Sequence, residues 1–316
     1  MCTYINTIAK IIHDNSIRYH GAPNKNIGSA FLLAWKICDG VLPGLRDLRE
    51  PEGEELDRNT KRELRDGIGA YSKGMGQITR LVGSQEIVDS AMVSILRMQI
   101  DLHDANKENG VLSEFKSNNK LRGYFGDQFD VNMGFGIHIG WAIEGAIGSQ
   151  YKNDASYLSP NVNMAARLEA ATHQFGCPML LSGPFVNELS DRAKNMCRKV
   201  DVVTVKGSQT PLEIWTVDIS DYKLEDPSIV KDVQQPVDFD VVTEVQKTLD
   251  ADFTKYYTLA MNSYIAGDWG KAKVELERAM GIMPEDGPSK SLMGVMRGTD
   301  FVAPKDWKGF RALTSK

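Results

Sequence analysis

Paired cysteines are absent from this sequence, although it contains four cysteine residues. None has a partner at the spacing of a metal site or of a disulfide framework, and they stand at Cys2, Cys38, Cys177 and Cys197. Small disulfide-stapled domains and zinc modules need such pairs, so both classes are excluded. The pattern predicts reduced, mostly buried thiols in a cytoplasmic chain.

Long apolar runs and an excess of positive charge are also lacking. No run approaches the ~20 apolar residues that span a bilayer, and the sequence opens without a signal-peptide pattern. We therefore expect membrane association only through regions upstream of this sequence or through a partner. The chain has 37 Lys and Arg against 42 Asp and Glu, so general nucleic-acid binding has no electrostatic support. No P-loop Gly-Lys-Ser/Thr occurs.

The remaining composition is that of an ordinary globular protein, with 42% hydrophobic and 25% charged residues. A chain of 316 residues accommodates one large domain and a smaller one. We predict a main domain over residues 1–220, with a charged insertion at about 41–85. A linker rich in Pro and Asp follows at 221–240, and a helical extension occupies 241–316.

Periodicity along the main domain mixes helices with strands. Helical spacing of apolar residues is found over 3–19 and 86–109, and strand-like runs over 30–37, 131–139, 141–147, 178–181, 199–205 and 212–217. The runs 131–139 and 141–147 are predicted to form a hairpin, with Gly145 and Gly148 as turn residues. His138 is interpreted as a core or edge histidine. The pattern predicts an α+β fold of ferredoxin-like kind with a mainly antiparallel sheet.

The most informative stretch is YLSPNVNMAARLEAATHQF, residues 157–175. Ser159 is a good N-cap, Pro160 suits the first helical position, and Gly176 suits the helix end. An apolar stripe at helical spacing runs through Met164, Leu168, Ala171 and Phe175. Asn163 and Arg167 are four residues apart on another face. An amide beside a guanidinium can grip a phosphate and its sugar, although taken alone such a pair is an ordinary solvated face.

Three further blocks surround this helix: GAPNKNIGSAFLLAWK at 21–36, MGFGIHIGWAIEGAIGSQ at 133–150 and VDVVTVKGSQTPLEIWTVD at 200–218. In this order and spacing the four blocks resemble the catalytic domain of class III adenylyl and guanylyl cyclases. The resemblance implies the ferredoxin-like class III cyclase fold. It also implies conversion of ATP to 3′,5′-cyclic AMP and pyrophosphate with two Mg or Mn ions, at a site formed between two domains arranged head to tail.

The resemblance assigns a role to five residues of this chain. Asn163 matches the asparagine that positions the ribose, and Arg167 matches the arginine that stabilises the transition-state phosphate. Lys25 and Ser156 fall at the two base-reading positions, a pair that favours ATP over GTP. Lys206 matches the lysine that contacts the terminal phosphates. Three of these residues also have an interpretation without a functional role. Lys25 is then a solvated lysine of a hairpin, Ser156 a serine of a loop, and Lys206 a solvated lysine at the end of a strand.

The two metal-binding aspartates have no counterpart. Gly28-Ser29 stands where Gly-Asp is expected, and a neutral hydroxyl is a poor substitute for a carboxylate at a divalent metal. The first strand, which carries the other aspartate in the family, is missing ahead of the first predicted helix. Asp14 and Asp39 are the nearby carboxylates, but neither is at the expected place. The same pattern is typical of the second catalytic half of mammalian membrane adenylyl cyclases; a truncated start is the other explanation.

Residues 241–316 are predicted to form a helical hairpin similar to one tetratricopeptide unit, and their ending resembles the C-terminal extension of some receptor-type cyclases. On that resemblance the C-terminus is expected to be complete. One such unit cannot bury its own apolar face, so we expect the tail to dock on the main domain or on a partner. The predicted contact residues are Tyr257, Met261, Tyr264, Trp269, Ala272 and Leu276.

Two hypotheses follow for function. In the first, the chain is the metal-poor half of a dimeric cyclase site, as a homo- or heterodimer, or a fragment of a longer cyclase. In the second, it is a catalytically inactive pseudocyclase that binds nucleotide or a regulatory partner.

Overall fold

The computed structural model describes residues 2–27, 30–37, 84–126, 129–149, 151–205, 210–218 and 250–313. The predicted linker lies outside these residues, as does all but the end of the predicted insertion. Both predicted domain boundaries, near 220 and 241, fall there as well. No helix in the described ranges is both long and apolar enough to cross a bilayer.

Helices and strands alternate through the main domain, and helices dominate the tail. The described helices are α1 (Cys2–Arg18), α2 (Ser84–Asn106), α3 (Ser113–Lys116), α4 (Asn119–Phe125), α5 (Pro160–Phe175), α6 (Gly183–Glu188), α7 (Asp191–Lys194), α8 (Ala251–Ile265), α9 (Trp269–Ile282) and α10 (Gly287–Arg297). The described strands are β1 (Ala22–Ile27), β2 (Ala30–Ala34), β3 (Phe135–Ile137), β4 (Ile143–Ser149), β5 (Lys152–Leu158), β6 (Met179–Ser182), β7 (Cys197–Thr204), β8 (Leu212–Val217) and β9 (Arg311–Ala312).

The central sheet has the strand order β3-β6-β8-β7-β9. β8 runs antiparallel to both β6 and β7, whereas β3 pairs with β6 and β9 pairs with β7 in parallel. Two antiparallel hairpins, β1–β2 and β4–β5, lie beside it as separate two-stranded sheets. The predicted α+β class is confirmed, and most described strand pairings are antiparallel.

The predicted hairpin in the middle of the main domain is wrong in its pairing. β4 pairs with β5, so that Ile143 faces Leu158 and Ser149 faces Lys152, while β3 pairs with β6 instead. Gly145 and Gly148 lie inside β4 and are not turn residues. The error has a physical cause, because alternation with a period of two identifies a strand without identifying its partner.

α5 forms where the sequence predicts it and for the predicted reasons. The Ser159 hydroxyl accepts a hydrogen bond from the backbone N–H of Asn161, and Gly176 ends the helix in the left-handed region at φ 60°. The inner side of the helix packs with residues of β6, β7 and β8 in one apolar cluster that includes Leu168, Ala171, Phe175, Leu180, Val200 and Ile214. β3 approaches so closely that a Cβ on Gly136 would overlap the carbonyl oxygen of Ala165.

The tail builds its own core, which corrects the predicted contacts. All six residues predicted to face the main domain are instead buried in a cluster formed by α8, α9 and α10: Tyr257, Met261, Tyr264, Trp269, Ala272 and Leu276. The third helix, α10, was not predicted, and it supplies the apolar surface that a lone helical hairpin lacks. Of the six, Tyr257 also meets a side chain of the main domain, the guanidinium of Arg198.

The tail nevertheless contacts the main domain, and ion pairs form an important part of this contact. The guanidinium of Arg198 on β7 binds Asp218 through Nε and Nη2, both at 2.6 Å, and Asp286 through Nη2 at 2.8 Å. The same guanidinium lies 4.2 Å from the ring centroid of Tyr257. Asp286 also caps α10 by accepting from the backbone N–H of Ser289. One buried cation thus holds together the sheet, α8 and the start of α10.

A second contact extends the central sheet with the end of the tail. β9 pairs in parallel with β7, and the Arg311 Nε donates to Asp201 Oδ2 at 2.7 Å. The backbone N–H of Leu313 donates to the carbonyl oxygen of Thr204 at 2.8 Å. Since β9 is too short to be predicted from sequence alternation, this strand was not expected.

We predict that Arg198→Met destabilises the protein strongly, because it leaves Asp218 and Asp286 without their cation in a buried site. Breaking a buried pair costs about 3–5 kcal/mol. The matched control is Arg278→Met, since Arg278 pairs with Glu275 on the outer surface of the tail, where a pair contributes about 0–1 kcal/mol. Urea unfolding followed by circular dichroism measures both variants. Equal unfolding midpoints for the two variants would show that the Arg198 contacts do not hold the tail.

Candidate functional site

α5 presents the two residues that the resemblance assigns to ribose and phosphate. Asn163 and Arg167 are exposed, whereas Leu168 on the other side of the helix is buried. Residues four apart lie one turn from each other on the same face, so the amide and the guanidinium stand side by side. The buried side of α5 packs against the central sheet, so this polar pair faces outward and its position is set by that packing.

Lys25 and Ser156 are brought to neighbouring strands although 131 residues separate them in sequence. Lys25 on β1 places its Nζ 3.7 Å from Asp154 Oδ2 on β5, and Ser156 follows Asp154 by two residues on the same face of that strand. Asn24 Nδ2 donates to the carbonyl oxygen of Ala155 at 3.4 Å. Lys25 and Ser156 are therefore both partly exposed on strands that these two contacts join.

A second ion pair fixes the β4–β5 hairpin to the chain that follows β2. Lys36 Nζ lies 2.6 Å from Glu144 Oε2. The β4–β5 hairpin is exposed to solvent, and its surface carries large apolar side chains. Trp141 is 65% exposed and Tyr151 is 89% exposed. We call this surface the hairpin patch, formed by Trp141, Ile143, Ile147, Tyr151 and Leu158.

A polar network at the start of α5 was not found from the sequence. His138, just after β3, has its Nδ1 2.8 Å from Ser182 Oγ and its Nε2 3.1 Å from Asn161 Oδ1. Asn161 Nδ2 donates to the carbonyl oxygen of Trp141 at 2.9 Å. Burial lowers the pKa of His138, so its ring is neutral at pH 7. These hydrogen bonds hold the first turn of α5 in place. The sequence did not predict them, because the bonded residues are too far apart along the chain for a spacing pattern to relate them.

The remaining predicted positions cannot be placed in this site. Ser29, Lys206 and Asp39 lie outside the described residues. Asp14 is on α1, where it pairs with Lys10 one turn away. Within the described ranges no group of three or more His, Cys, Asp or Glu side chains converges. The polar pair described on the exposed face of α5 is a guanidinium and an amide.

Comparison with known proteins gives matches over part of the chain. No family model matches. An 88-residue stretch is 33% identical to an adenylate cyclase of Anabaena cylindrica, covering 28% of this chain and 18% of that protein. A stretch of 83 residues is 34% identical to adenylate cyclase 1 of Rhizobium meliloti (strain 1021), covering 26% of this chain and 12% of that protein. The matches span less than a fifth of either relative, and they support a nucleotide cyclase domain in this chain.

Solved structures give fainter similarities. A bacterial light-regulated adenylyl cyclase aligns with 69% of this chain and 44% of its own length, at 18% identity and a TM-score of 0.43. The adenylyl cyclase CyaB from P. aeruginosa aligns with 70% of this chain and 83% of its own, at 16% identity and a TM-score of 0.42. At such scores the assignment rests on the curated relatives and on the residues of this chain.

Proposed function

We propose that this chain supplies the metal-poor half of a dimeric class III cyclase site, in which ATP is converted to 3′,5′-cyclic AMP and pyrophosphate. The observation that carries the proposal is the exposed pair on α5. Asn163 and Arg167 are side by side on a helix whose opposite side packs against the central sheet. Such a pair is suited to act on a nucleotide held by a second domain.

Arg167 is proposed as the group that stabilises the transition state. When the ribose 3′-hydroxyl attacks the α-phosphate, negative charge grows on the phosphate oxygens. A fixed guanidinium can donate to these oxygens, and it does so most strongly once water is excluded. Asn163 would hold the ribose by its amide, which keeps the attacking hydroxyl in line with the phosphate. The role of Arg167 is donation of hydrogen bonds, and no proton transfer is assigned to it.

Lys25 and Ser156 are proposed to read the base, and their closeness through Asp154 supports this pairing. An ammonium donor suits an acceptor nitrogen of adenine, so we propose ATP as the substrate and GTP as a poorer one. Lys206 is proposed, from its place in the VKG block alone, to contact the terminal phosphates.

The carboxylates that hold Mg or Mn are proposed to come from the partner domain. Bound there, the ions would lower the pKa of the ribose hydroxyl and neutralise charge on the phosphates. Support comes from Ser29, which stands at the position of a metal aspartate. The hairpin patch supports dimerisation with a second cyclase domain, because an exposed apolar surface of this kind marks an interface.

A pseudocyclase is the second candidate, and the same observation favours it. If no metal-competent domain pairs with this chain, the residues proposed for base, ribose and phosphate can bind ATP without reaction. The two functions differ in one respect that can be measured: only the first gives turnover when the missing carboxylates are supplied.

We predict that the purified chain alone has little or no cyclase activity with Mg or Mn and ATP, because it lacks the metal carboxylates. Cyclic AMP formation is measured by chromatography, with a metal-competent cyclase domain assayed in parallel as the positive control. Readily measurable product that disappears in Arg167→Ala would contradict the proposal, since the chain would then be catalytic without a partner.

We predict that a metal-competent cyclase domain mixed with this chain forms cyclic AMP through Arg167. In that mixture Arg167→Ala should lower kcat by roughly 100-fold or more, the effect of losing one transition-state donor. Its effect on nucleotide affinity should be far smaller, since the contact strengthens in the transition state. Arg278→Ala, on the outer surface of the tail, is the control. Equal losses in kcat and affinity, or no loss, would count against the role.

A further inference from the structure

A cavity of about 680 Å³ lies at the C-terminal end of α5. Its walls come from the last turns of α2, from residues 130–135, which lead into the start of β3, and from residues 172–178. A helix rises 1.5 Å per residue, so His173 at the cavity is ~9 Å along the α5 axis from Arg167. The cavity is therefore separate from the polar pair on α5. Its size is within the usual range for small-molecule sites.

One face of α2 forms the longest wall. Gln99, Leu102, His103 and Asn106 recur at helical spacing and all line the cavity. Asn106 fixes the opposite segment through two hydrogen bonds. Its Nδ2 donates to the carbonyl oxygen of Val131 at 3.0 Å, and its Oδ1 accepts from the Val131 N–H at 2.9 Å. The walls are thus held together before any ligand enters.

Gln99 is the unusual residue in this wall. It is only 5% exposed, and the described part of the chain offers no hydrogen-bond partner to its Nε2 or to its Oε1. Nearly all buried amides in native proteins are paired, so a buried amide with both atoms unpaired calls for a ligand or a water. The group that satisfies both atoms together must present an acceptor and a donor side by side.

The two lysines of the lining are paired with carboxylates, and Glu108 is exposed to solvent. Lys116 pairs with Asp130, and Lys107 pairs with Asp104 at 2.7 Å. Burial raises the pKa of the Cys177 thiol to about 12, so it is uncharged at pH 7. Apolar side chains, among them Leu102, Met133 and Phe135, complete the walls. The buried part of the cavity, around Gln99, therefore disfavours an ion and suits a neutral molecule with an apolar body.

We infer that the cavity binds a small neutral molecule with a carboxamide or lactam edge, which pairs with the amide of Gln99. A carboxamide presents N–H and C=O together, and so satisfies both orphan atoms through two hydrogen bonds. A single water offers this pairing less well and leaves the apolar walls without contact. This site does not depend on the cyclase function, and its occupancy can be tested without any assay of turnover.

The test is a binding titration of the whole chain with three probes at millimolar concentration: benzamide, nicotinamide and 2-pyridone. Methyl benzoate, which has no N–H, is the matched apolar control. Saturation-transfer NMR measures binding. We expect at least one amide probe to bind, and methyl benzoate to bind more weakly. Gln99→Met should lower the affinity for the amide probe about tenfold, which is the effect of losing two neutral hydrogen bonds.

Gln174→Met makes the same chemical change on an exposed part of α5 outside the cavity lining, and it should leave binding unchanged. His173 is exposed at the rim, so His173→Trp should block entry without endangering the fold. This variant decides the matter if Gln99→Met does not fold. Absence of binding by all three amides overturns the inference. So does an affinity that survives Gln99→Met, or one that survives His173→Trp when Gln99→Met is unfolded.

Discussion

The burial of one side of α5 against β6, β7 and β8 is the constraint on which the site depends. Leu168 and Phe175 are each almost wholly buried there, and such burial contributes roughly 1.5–3 kcal/mol per side chain. The rotation of the helix is thereby fixed, because any turn about its axis would expose these residues. Asn163 and Arg167 must then face outward. The proposed chemistry is a consequence of this packing, since a guanidinium stabilises a transition state only if its position is already set.

The tail binds β7 of the same sheet and adds β9 at its edge. β7 contains Arg198, which pairs with Asp286 of the tail, and Asp201, which pairs with Arg311 of the tail. β7 is also the strand that leads toward Lys206, the predicted phosphate-binding residue. A tail held by buried ion pairs therefore limits how far this strand can move. Buried pairs are costly to desolvate and more costly to break, so we interpret the docking as fixed in the native state.

Local signals made α5 predictable: its N-cap at Ser159, its stop at Gly176 and its apolar stripe all depend on residues within a few positions of each other. The same signals failed where the partner lies far along the chain. Alternation identified β4 but not its pairing with β5, and no pattern relates Arg198 to Asp286. Gln99 looked like one more residue of an amphipathic helix, since a missing hydrogen-bond partner is visible only in three dimensions. Ser29 and Lys206 remain predictions from sequence.

The central claim is that a complete site needs this chain and a second domain in equal amounts. Its most direct test is the rate of cyclic AMP formation against mole fraction at constant total protein. The partner is a cyclase domain that keeps both metal aspartates but has its own transition-state arginine replaced, so that it is silent alone. The account predicts no activity at either end and a maximum near equal amounts. A rate that never rises above that of the partner alone at any mole fraction would contradict it.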